Sequence, residues 1–233
     1  MFQIELHENS NLARQIALVA HNGQMRGTEP YINHPLRVAE ACNTIWYDPY
    51  AIVGAILHDV IEDSPYTAET LLLVGIDPDV VDVVELMTRK PNVSRDDYIQ
   101  TLIDSDNVHA LRVKLMDAID NSTWTYANEI RFGEKNWQSS RIYYRELACK
   151  LWQIYLDRHV DAHAPDEDFD FFGRVVYHWN VLDEISIALM RGEVIADELI
   201  DRRMLDVISD INSPRADSWD LDAIKNELYK ESV

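Results

Sequence analysis

The sequence has few of the residues that form tight turns or cross-links. It holds 7 glycines and 8 prolines in 233 residues, and they fall between apolar segments. A many-stranded sheet needs more turn residues, so the composition favours helices joined by short loops. Cysteine occurs twice, at Cys42 and Cys149, which excludes a disulfide-rich secreted fold. We expect two buried free thiols, with a disulfide as the alternative.

Long apolar runs are missing too. No segment approaches the roughly 18 apolar residues that cross a bilayer. The first ten residues, MFQIELHENS, lack the basic start and apolar stretch of an export signal. The sequence therefore predicts a cytoplasmic protein without a membrane partner.

Positive charge is scarce. The chain has 21 basic against 41 acidic residues, a net charge of −20. A field of that sign repels nucleic acid, so we expect no nucleic-acid partner. A small-molecule nucleotide is still an allowed substrate, because a metal ion and a few Arg or Lys reverse the sign locally.

Apolar residues at helical spacing are abundant, and they predict an all-α fold. The run over residues 52–57 is apolar nearly all round, as in a buried central helix. Ser94 and Asp97 resemble a capping box. The predicted helices lie near residues 12–20, 35–42, 49–58, 67–75, 78–88, 97–103, 108–121, 137–158, 171–190, 194–211 and 221–229.

One break interrupts this pattern. Residues 159–170, HVDAHAPDEDFD, contain a proline and a cluster of charges, and we interpret them as an acidic loop rather than a metal site. The sequence thus predicts a helical bundle over residues 1–158 and a C-terminal helical extension over residues 159–233. It does not decide whether the extension packs on the bundle or forms a contact in a homo-oligomer.

Adjacent His58 and Asp59 end the buried helix. Burying them is costly unless something pairs with them, and a divalent metal would bind both. A hydrogen-bonded core histidine beside a helix-end aspartate is the alternative. Glu62 and Asp63 follow four residues after this pair, one turn further on. Three acids in one patch repel each other without a cation, although a solvated acidic helix end also accounts for them.

Two further segments offer groups that a metal site needs. PYINHP supplies His34, made rigid by the proline that follows it. KLMD places Asp117 in a predicted helix, with Asn121 one turn later. Two histidines and two aspartates form a mixed donor set that suits manganese, iron or zinc with positions open for water.

Three strings carry a resemblance to a known family: AHNGQMRGTEPYINHPLRVAEA (residues 20–41), AILHDVIEDS (residues 55–64) and VKLMDAIDN (residues 113–121). In order and spacing they resemble the HD-domain hydrolases of the RelA/SpoT family, and the small stand-alone alarmone hydrolases in particular. The resemblance covers roughly residues 5–158. It implies a helical HD-domain fold and removal of the 3′-pyrophosphate from ppGpp or pppGpp. It also implies one Mn²⁺ per chain, bound by His34, His58, Asp59 and Asp117.

The same resemblance assigns roles around the metal. Glu62 and Asp63 match the acidic pair that orients or deprotonates the attacking water. Asn121 matches an active-site asparagine near the nucleotide, and Arg26 matches an arginine that lies against the base.

Other side chains are candidates on chemical grounds. Basic residues should line the exit of the pyrophosphate product, and Arg89, Lys90 and Lys114 are candidates, with surface charge as the alternative. His21 lies in the matched string and has either a supporting role or a packing role. Four aromatic residues around the expected cleft either stack on a base or pack in the core, namely Tyr98, Trp124, Tyr143 and Tyr144.

Two positions depart from the family pattern. The family usually has a basic residue where this chain has Gly27, and an arginine where it has Thr123. Both changes remove positive charge beside the nucleotide. The alternatives are therefore an HD phosphohydrolase acting on another nucleotide, such as ppApp, or an antitoxin-like protein that binds an alarmone or a synthetase.

Overall fold

A computed structural model describes residues 2–27, 29–125 and 137–159, together with 172–173, 175–176 and 179–180. The chain divides into two compact units, one of Met1–Asp120 with Ile142–Ala162 and one of Asn121–Arg141 with His163–Val233. Most of the sequence after residue 159 lies outside the described residues, including most of the predicted loop, most of the helix predicted over residues 171–190 and the last two predicted helices. The predicted boundary at residue 158 stays a prediction.

Helices dominate the described part of the chain, which confirms the all-α prediction. An antiparallel hairpin of two-residue strands, in which Met25 pairs with Pro30, is the exception. No described helix is long and apolar enough to cross a membrane. The elements are α1 (Phe2–Ala20), β1 (Met25–Arg26), β2 (Glu29–Pro30), α2 (Asn33–Trp46), α3 (Pro49–Leu57), α4 (Val60–Asp63), α5 (Ala68–Leu73), α6 (Pro78–Met87), α7 (Arg95–Asp104), α8 (Val108–Asp120), a π-helical turn (Asn121–Thr125) and α9 (Trp137–His159).

Four helices of the first unit, α3, α5, α6 and α7, begin where the sequence places capping side chains. Asp48, Thr67, Asp77 and Ser94 each accept a hydrogen bond from a backbone N–H of the following first turn. These bonds satisfy donors that have no partner inside the helix. The Ser94 hydroxyl also donates to the Asp97 carboxylate at 2.7 Å, so the predicted pair forms, although it is not the reciprocal backbone box.

Helix α3 is the centre of the first unit. It packs against α1, α2, α6 and α8, and Ile56 and Leu57 are fully buried. A Cβ at Gly54 would lie 2.6 Å from Cγ1 of Val83, so the glycine lets α6 approach closely. The prediction of a buried central helix is confirmed.

Both cysteines are free, as predicted. Cys42 is buried in α2, but Cys149 is exposed, so the prediction of two buried thiols is wrong for Cys149. The buried positions nearby in α9 are Leu147, Ala148 and Leu151. Cys149 falls outside the stripe that these residues form on the helix.

Asp48 connects the start of α3 to α8. It is 5% exposed and accepts hydrogen bonds from Nδ1 of His109 at 2.6 Å and Nη1 of Arg112 at 2.7 Å. Burial alone would raise the pKa of Asp48, but these partners outweigh it and lower the pKa to about 2. The carboxylate is therefore charged in the folded chain over almost the whole pH range.

This pKa predicts a pH-dependent contribution to stability. The unfolded pKa of an aspartate is about 3.9, so the contribution of Asp48 is complete above about pH 4 and is lost as the pH falls towards about 2. We expect Asp48→Asn to lower the free energy of unfolding by about 2 kcal/mol at neutral pH. The difference from wild type should shrink between about pH 4 and pH 2. Urea unfolding across this range, with exposed Asp104→Asn as the control, measures it. A difference that does not change with pH would contradict the assignment.

Candidate metal centre

Side chains from three parts of the first unit meet at one point. His34 lies in the first turn of α2, and Asp117 lies in the last turn of α8. His58 and Asp59 occupy the junction between α3, which ends at Leu57, and α4, which begins at Val60. His34, His58 and Asp117 are buried, at 2%, 1% and 4% exposure. The junction therefore brings together the four residues that the family resemblance selects.

The distances among these four groups suit a shared cation. Nε2 of His34 lies 3.2 Å from Oδ1 of Asp117 and 3.7 Å from Oδ2 of Asp59. Nε2 of His58 lies 3.0 Å from Oδ2 of Asp59 and 3.7 Å from Oδ1 of Asp117. Ligands about 2.1 Å from an ion are themselves about 3 to 3.5 Å apart in tetrahedral or octahedral geometry. The observed separations fall close to this range.

Hydrogen bonds fix which nitrogen of each histidine faces the carboxylates. Nδ1 of His34 donates to Oδ2 of Asp120 at 2.7 Å, and Nδ1 of His58 donates to the Ala55 carbonyl at 2.7 Å. In the neutral rings, both Nε2 atoms therefore carry a lone pair. Nε2 of His58 is buried and makes no hydrogen bond. A buried lone pair that faces carboxylate oxygens needs a cation between them, so these residues fit a metal ion.

The electrostatics of the four groups agree with this. Burial alone would lower the pKa of His58, but the charges of Asp59 and Asp117 raise it to about 9. Burial would raise the pKa of Asp59, but His58 and His34 hold it well below its usual range. The site is therefore strongly electronegative and attracts positive charge, whether a proton or a metal ion.

Two neighbours hold the carboxylates in place. The Tyr31 hydroxyl donates to Oδ2 of Asp59 at 2.7 Å. Nζ of Lys114 donates to Oδ2 of Asp117 at 2.8 Å, which leaves Oδ1 for the cation side. Burial would lower the pKa of Lys114, but Asp117 keeps it above its usual range. Lys114 was predicted near the product exit; in the structure its ammonium group bonds a proposed ligand directly.

The two acids of the HDxxED motif lie on the exposed side of this cluster. Asp63 stands one helical turn after Asp59, since its N–H donates to the Asp59 carbonyl at 2.9 Å. Its Oδ2 accepts from Nε2 of Gln24 at 2.9 Å. Glu62 accepts from the backbone N–H of Arg89 at 3.2 Å. Because the helix is interrupted at His58, the expected regular stacking of Glu62 on that residue is absent, and the stacking expected for Asp63 is confirmed.

The predicted nucleotide contacts lie on the hairpin of the first unit and in the π-helical turn of the second. Arg26 is on β1, with Nη1 3.6 Å from Oδ2 of Asp120. Gly27 follows it in the hairpin turn with a φ of 61°, a conformation that a larger residue adopts at a cost, which gives a backbone reason for glycine there. Asn121 is half-buried and opens the π-helical turn that also contains the buried Thr123. Their contacts with a nucleotide stay predictions.

The remaining candidates have partners inside the protein. Tyr98 is 9% exposed, its hydroxyl donates to the Met87 carbonyl at 2.6 Å, and Nζ of Lys114 lies 5.2 Å from its ring centre. Burial raises the pKa of Tyr98 to about 12. Arg89 and Lys90 are exposed, and the Arg89 guanidinium donates to a backbone carbonyl at 3.0 Å. Their roles in substrate binding stay predictions.

The other aromatic candidates and His21 also have places in the fold. Tyr143 and Tyr144 are half-buried on α9, with ring centres 5.2 Å apart. His21 is 4% exposed; its Nδ1 lies 2.8 Å from Oε1 of Gln24, the residue that bonds Asp63. The side chain of Trp124 lies outside the described residues.

Four residues that orient side chains of the candidate site were not predicted from the sequence: Gln24, Tyr31, Arg37 and Asp120. Gln24 and Tyr31 lie in the matched N-terminal string without a distinguishing spacing. The sequence feature that could have indicated Asp120 is its position after two apolar residues, Ala118 and Ile119, within a buried stretch of helix. Such a residue needs a partner, and the histidine and arginine of α2 supply it.

Comparisons with known proteins agree with the motifs. No protein-family model matches the chain. The chain is 53% identical over 57 residues to Guanosine-3′,5′-bis(diphosphate) 3′-pyrophosphohydrolase of Haemophilus influenzae, which covers 24% of this chain and 8% of that protein. It is 33% identical over 122 residues to GTP pyrophosphokinase rsh of Brucella ovis, covering 48% and 16%. It is 26% identical over 165 residues to a probable chloroplastic GTP diphosphokinase, RSH3, of Arabidopsis thaliana, covering 64% and 23%.

A similarity to a solved structure is found as well. That structure is described as a metazoan ortholog of SpoT that hydrolyzes ppGpp and plays a role in starvation responses, and it matches with a TM-score of 0.46 and 22% identity over 66% of this chain and 97% of that chain. The chain spans less than a quarter of the length of each curated relative named above. In its motifs and over these matched stretches, the chain is similar to proteins of the RelA/SpoT family.

Proposed function

We propose that this chain is a metal-dependent hydrolase that removes the 3′-pyrophosphate from alarmones of the (p)ppGpp type. The observation that carries the proposal is the meeting of two imidazole nitrogens and two carboxylates, with two further acids beside them. The relative from Haemophilus influenzae, whose name states this activity, supports the choice of substrate.

The donor set favours one divalent ion per chain, and we propose Mn²⁺. His34, His58, Asp59 and Asp117 would hold it through two nitrogens and two oxygens, a mixture that suits manganese, iron and zinc. Bound there, the ion supplies a Lewis acid that lowers the pKa of water towards about 7 and polarises a phosphoryl oxygen. Lys114 keeps Asp117 oriented through Oδ2, which leaves Oδ1 facing the histidines, whereas Tyr31 orients Asp59 through Oδ2, the oxygen that itself faces them.

The exposed acids Glu62 and Asp63 are the candidates for proton transfer. Asp63 or Glu62 accepts a proton from the attacking water, a role typically worth roughly 10² to 10⁴ in rate. The water oxygen bonds to the phosphorus on the ribose 3′ oxygen, and the bond between that phosphorus and the 3′ oxygen breaks. The proton then passes to the 3′ oxygen, and pyrophosphate is released. Gln24 donates a hydrogen bond to Asp63 and would hold its carboxylate in place for this transfer.

A setting in the cytoplasm is part of the proposal, supported by two cysteines that are both free. A protein that only sequesters an alarmone or blocks a synthetase needs no pair of acids beside the cation site. We therefore favour an enzyme over the binding alternative.

A nucleotide panel tests the function. The purified chain with Mn²⁺ is incubated with ppGpp, pppGpp, ppApp and GTP, and the products are separated by chromatography. We expect pyrophosphate and GDP from ppGpp, and pyrophosphate and GTP from pppGpp. Turnover of ppApp alone would mean that the substrate carries adenine instead of guanine. The absence of the family's basic residues at Gly27 and Thr123 is compatible with that outcome. Tight binding without turnover would contradict the enzyme proposal.

A further inference from the structure

A buried carboxylate lies behind His34, on the side away from the proposed cation. Asp120 ends α8, three residues after Asp117, and is 8% exposed. Its Oδ2 accepts the hydrogen bond from Nδ1 of His34 at 2.7 Å. The bond fixes the ring so that Nε2 faces Asp117 and Asp59. Asp120 itself is on the far side of the imidazole from these carboxylates.

Arg37 holds Asp120 from behind. Its Nε donates to Oδ1 of Asp120 at 2.7 Å, and its Nη2 donates to Oδ2 at 3.1 Å. The same guanidinium donates to both oxygens of Glu29, through Nη1 at 2.9 Å and Nη2 at 3.0 Å. One arginine is thus bonded to two carboxylates by two hydrogen bonds each, an arrangement that sets direction as well as distance.

Glu29 brings the hairpin into this network. Glu29 lies on β2, which pairs with β1, and its partner residue on β1 is Arg26. Nη1 of Arg26 lies 3.6 Å from Oδ2 of Asp120, the same oxygen that accepts from His34. The side chain of Asn33 also donates to Glu29, at 3.3 Å. The chain of ion pairs Glu29–Arg37–Asp120 therefore connects the hairpin to His34.

We propose that Asp120 is a positioning residue for the metal ligand His34, and that the Glu29–Arg37–Asp120 ion pairs couple the hairpin to the metal site. The inference rests on the proposed function, since it takes His34 as a ligand. A carboxylate on the second nitrogen of a metal-binding histidine fixes the tautomer and makes the ligand more basic, and its loss typically costs roughly 10- to 100-fold in metal affinity.

Metal binding alone tests the proposal without turnover. Isothermal titration calorimetry of metal-free protein with Mn²⁺ measures the affinity for the metal. Asp120→Asn should bind Mn²⁺ roughly 10- to 100-fold more weakly than wild type. Glu29→Gln leaves Asp120 in place and should weaken binding in the same direction by a smaller factor. Asp157→Asn, which changes an exposed aspartate on α9 that accepts from Gln153, is the matched control and should bind like wild type.

A nuclear magnetic resonance measurement separates positioning from general stability. The proton on Nδ1 of His34, bonded to a carboxylate, should give a strongly downfield signal in metal-free wild type. That signal should shift or vanish in Asp120→Asn. The Nδ1 proton of His58, bonded to the Ala55 carbonyl, should stay unchanged. A purely structural role would move both signals or neither.

The outcomes are distinguishable. Wild-type protein that binds no Mn²⁺ defeats the proposed function itself. Wild type that binds Mn²⁺ beside an Asp120→Asn variant with the same affinity defeats this inference alone. If Asp120→Asn does not fold, Glu29→Gln decides: wild-type affinity and an unchanged His34 signal overturn the coupling, and a weakened affinity with a shifted signal supports it.

Discussion

Replacing His58 with alanine is expected to abolish metal binding and pyrophosphate release together. The ring supplies the one buried nitrogen of the cluster that makes no hydrogen bond in the described residues, and it lies 3.0 Å from Asp59. Without it the proposed ion loses one of its two nitrogen ligands. Because metal lowers the pKa of water from about 15.7 to about 7, we expect kcat to fall by about 10⁴-fold or more.

Metal analysis and steady-state kinetics measure this effect. Wild type should carry about one transition metal per chain, and His58→Ala should carry almost none. The matched control is His109→Ala, which removes a histidine bonded to Asp48 at the other end of α3. It should keep its metal and its kcat when assayed well below its melting temperature. Full metal content in His58→Ala would remove that residue from the ligand set.

Replacing Asp63 with asparagine is expected to separate catalysis from metal binding. Asparagine keeps the shape and still accepts the hydrogen bond from Gln24, but it cannot take a proton from water at neutral pH. Loss of a general base typically costs roughly 10² to 10⁴ in kcat. Glu62→Gln should behave in the same way if that acid carries the proton, so the larger loss identifies the base.

The controls for this pair are metal affinity and an unrelated acid. Both variants should bind Mn²⁺ within about threefold of wild type, since neither side chain belongs to the four converging groups. Asp82→Asn, an exposed acid on α6, should leave kcat unchanged. Normal turnover by the double variant Glu62→Gln with Asp63→Asn would exclude both residues as bases. It would favour the alternative that the two acids form a solvated helix end.

Much of the fold was predictable because its signals are local. Asp48, Thr67, Asp77 and Ser94 start helices through bonds to backbone groups two or three residues away, so their effect is visible in the sequence. The hairpin was not predicted. Strands of two residues have no period to detect, and their pairing depends on the turn that contains Gly27.

The candidate site was also predictable only in part. The motif strings named His34, His58, Asp59 and Asp117, and the structure brings these four residues together. The groups that orient them were not foreseen. Asp120 reaches His34 across 86 positions of sequence, and Tyr31 reaches Asp59 across 28. Such pairings arise from tertiary packing, which periodicity and composition do not encode.

The interruption between α3 and α4 has a consequence for how two neighbouring residues act as one ligand. Successive side chains on a regular helix point about 100° apart, which would send a His-Asp pair in different directions. At the junction, Asp59 has φ −101° and ψ −3°, near the sparsely populated bridge region. The backbone conformation at this junction thus sets the separation of the two side chains in the proposed two-residue chelate.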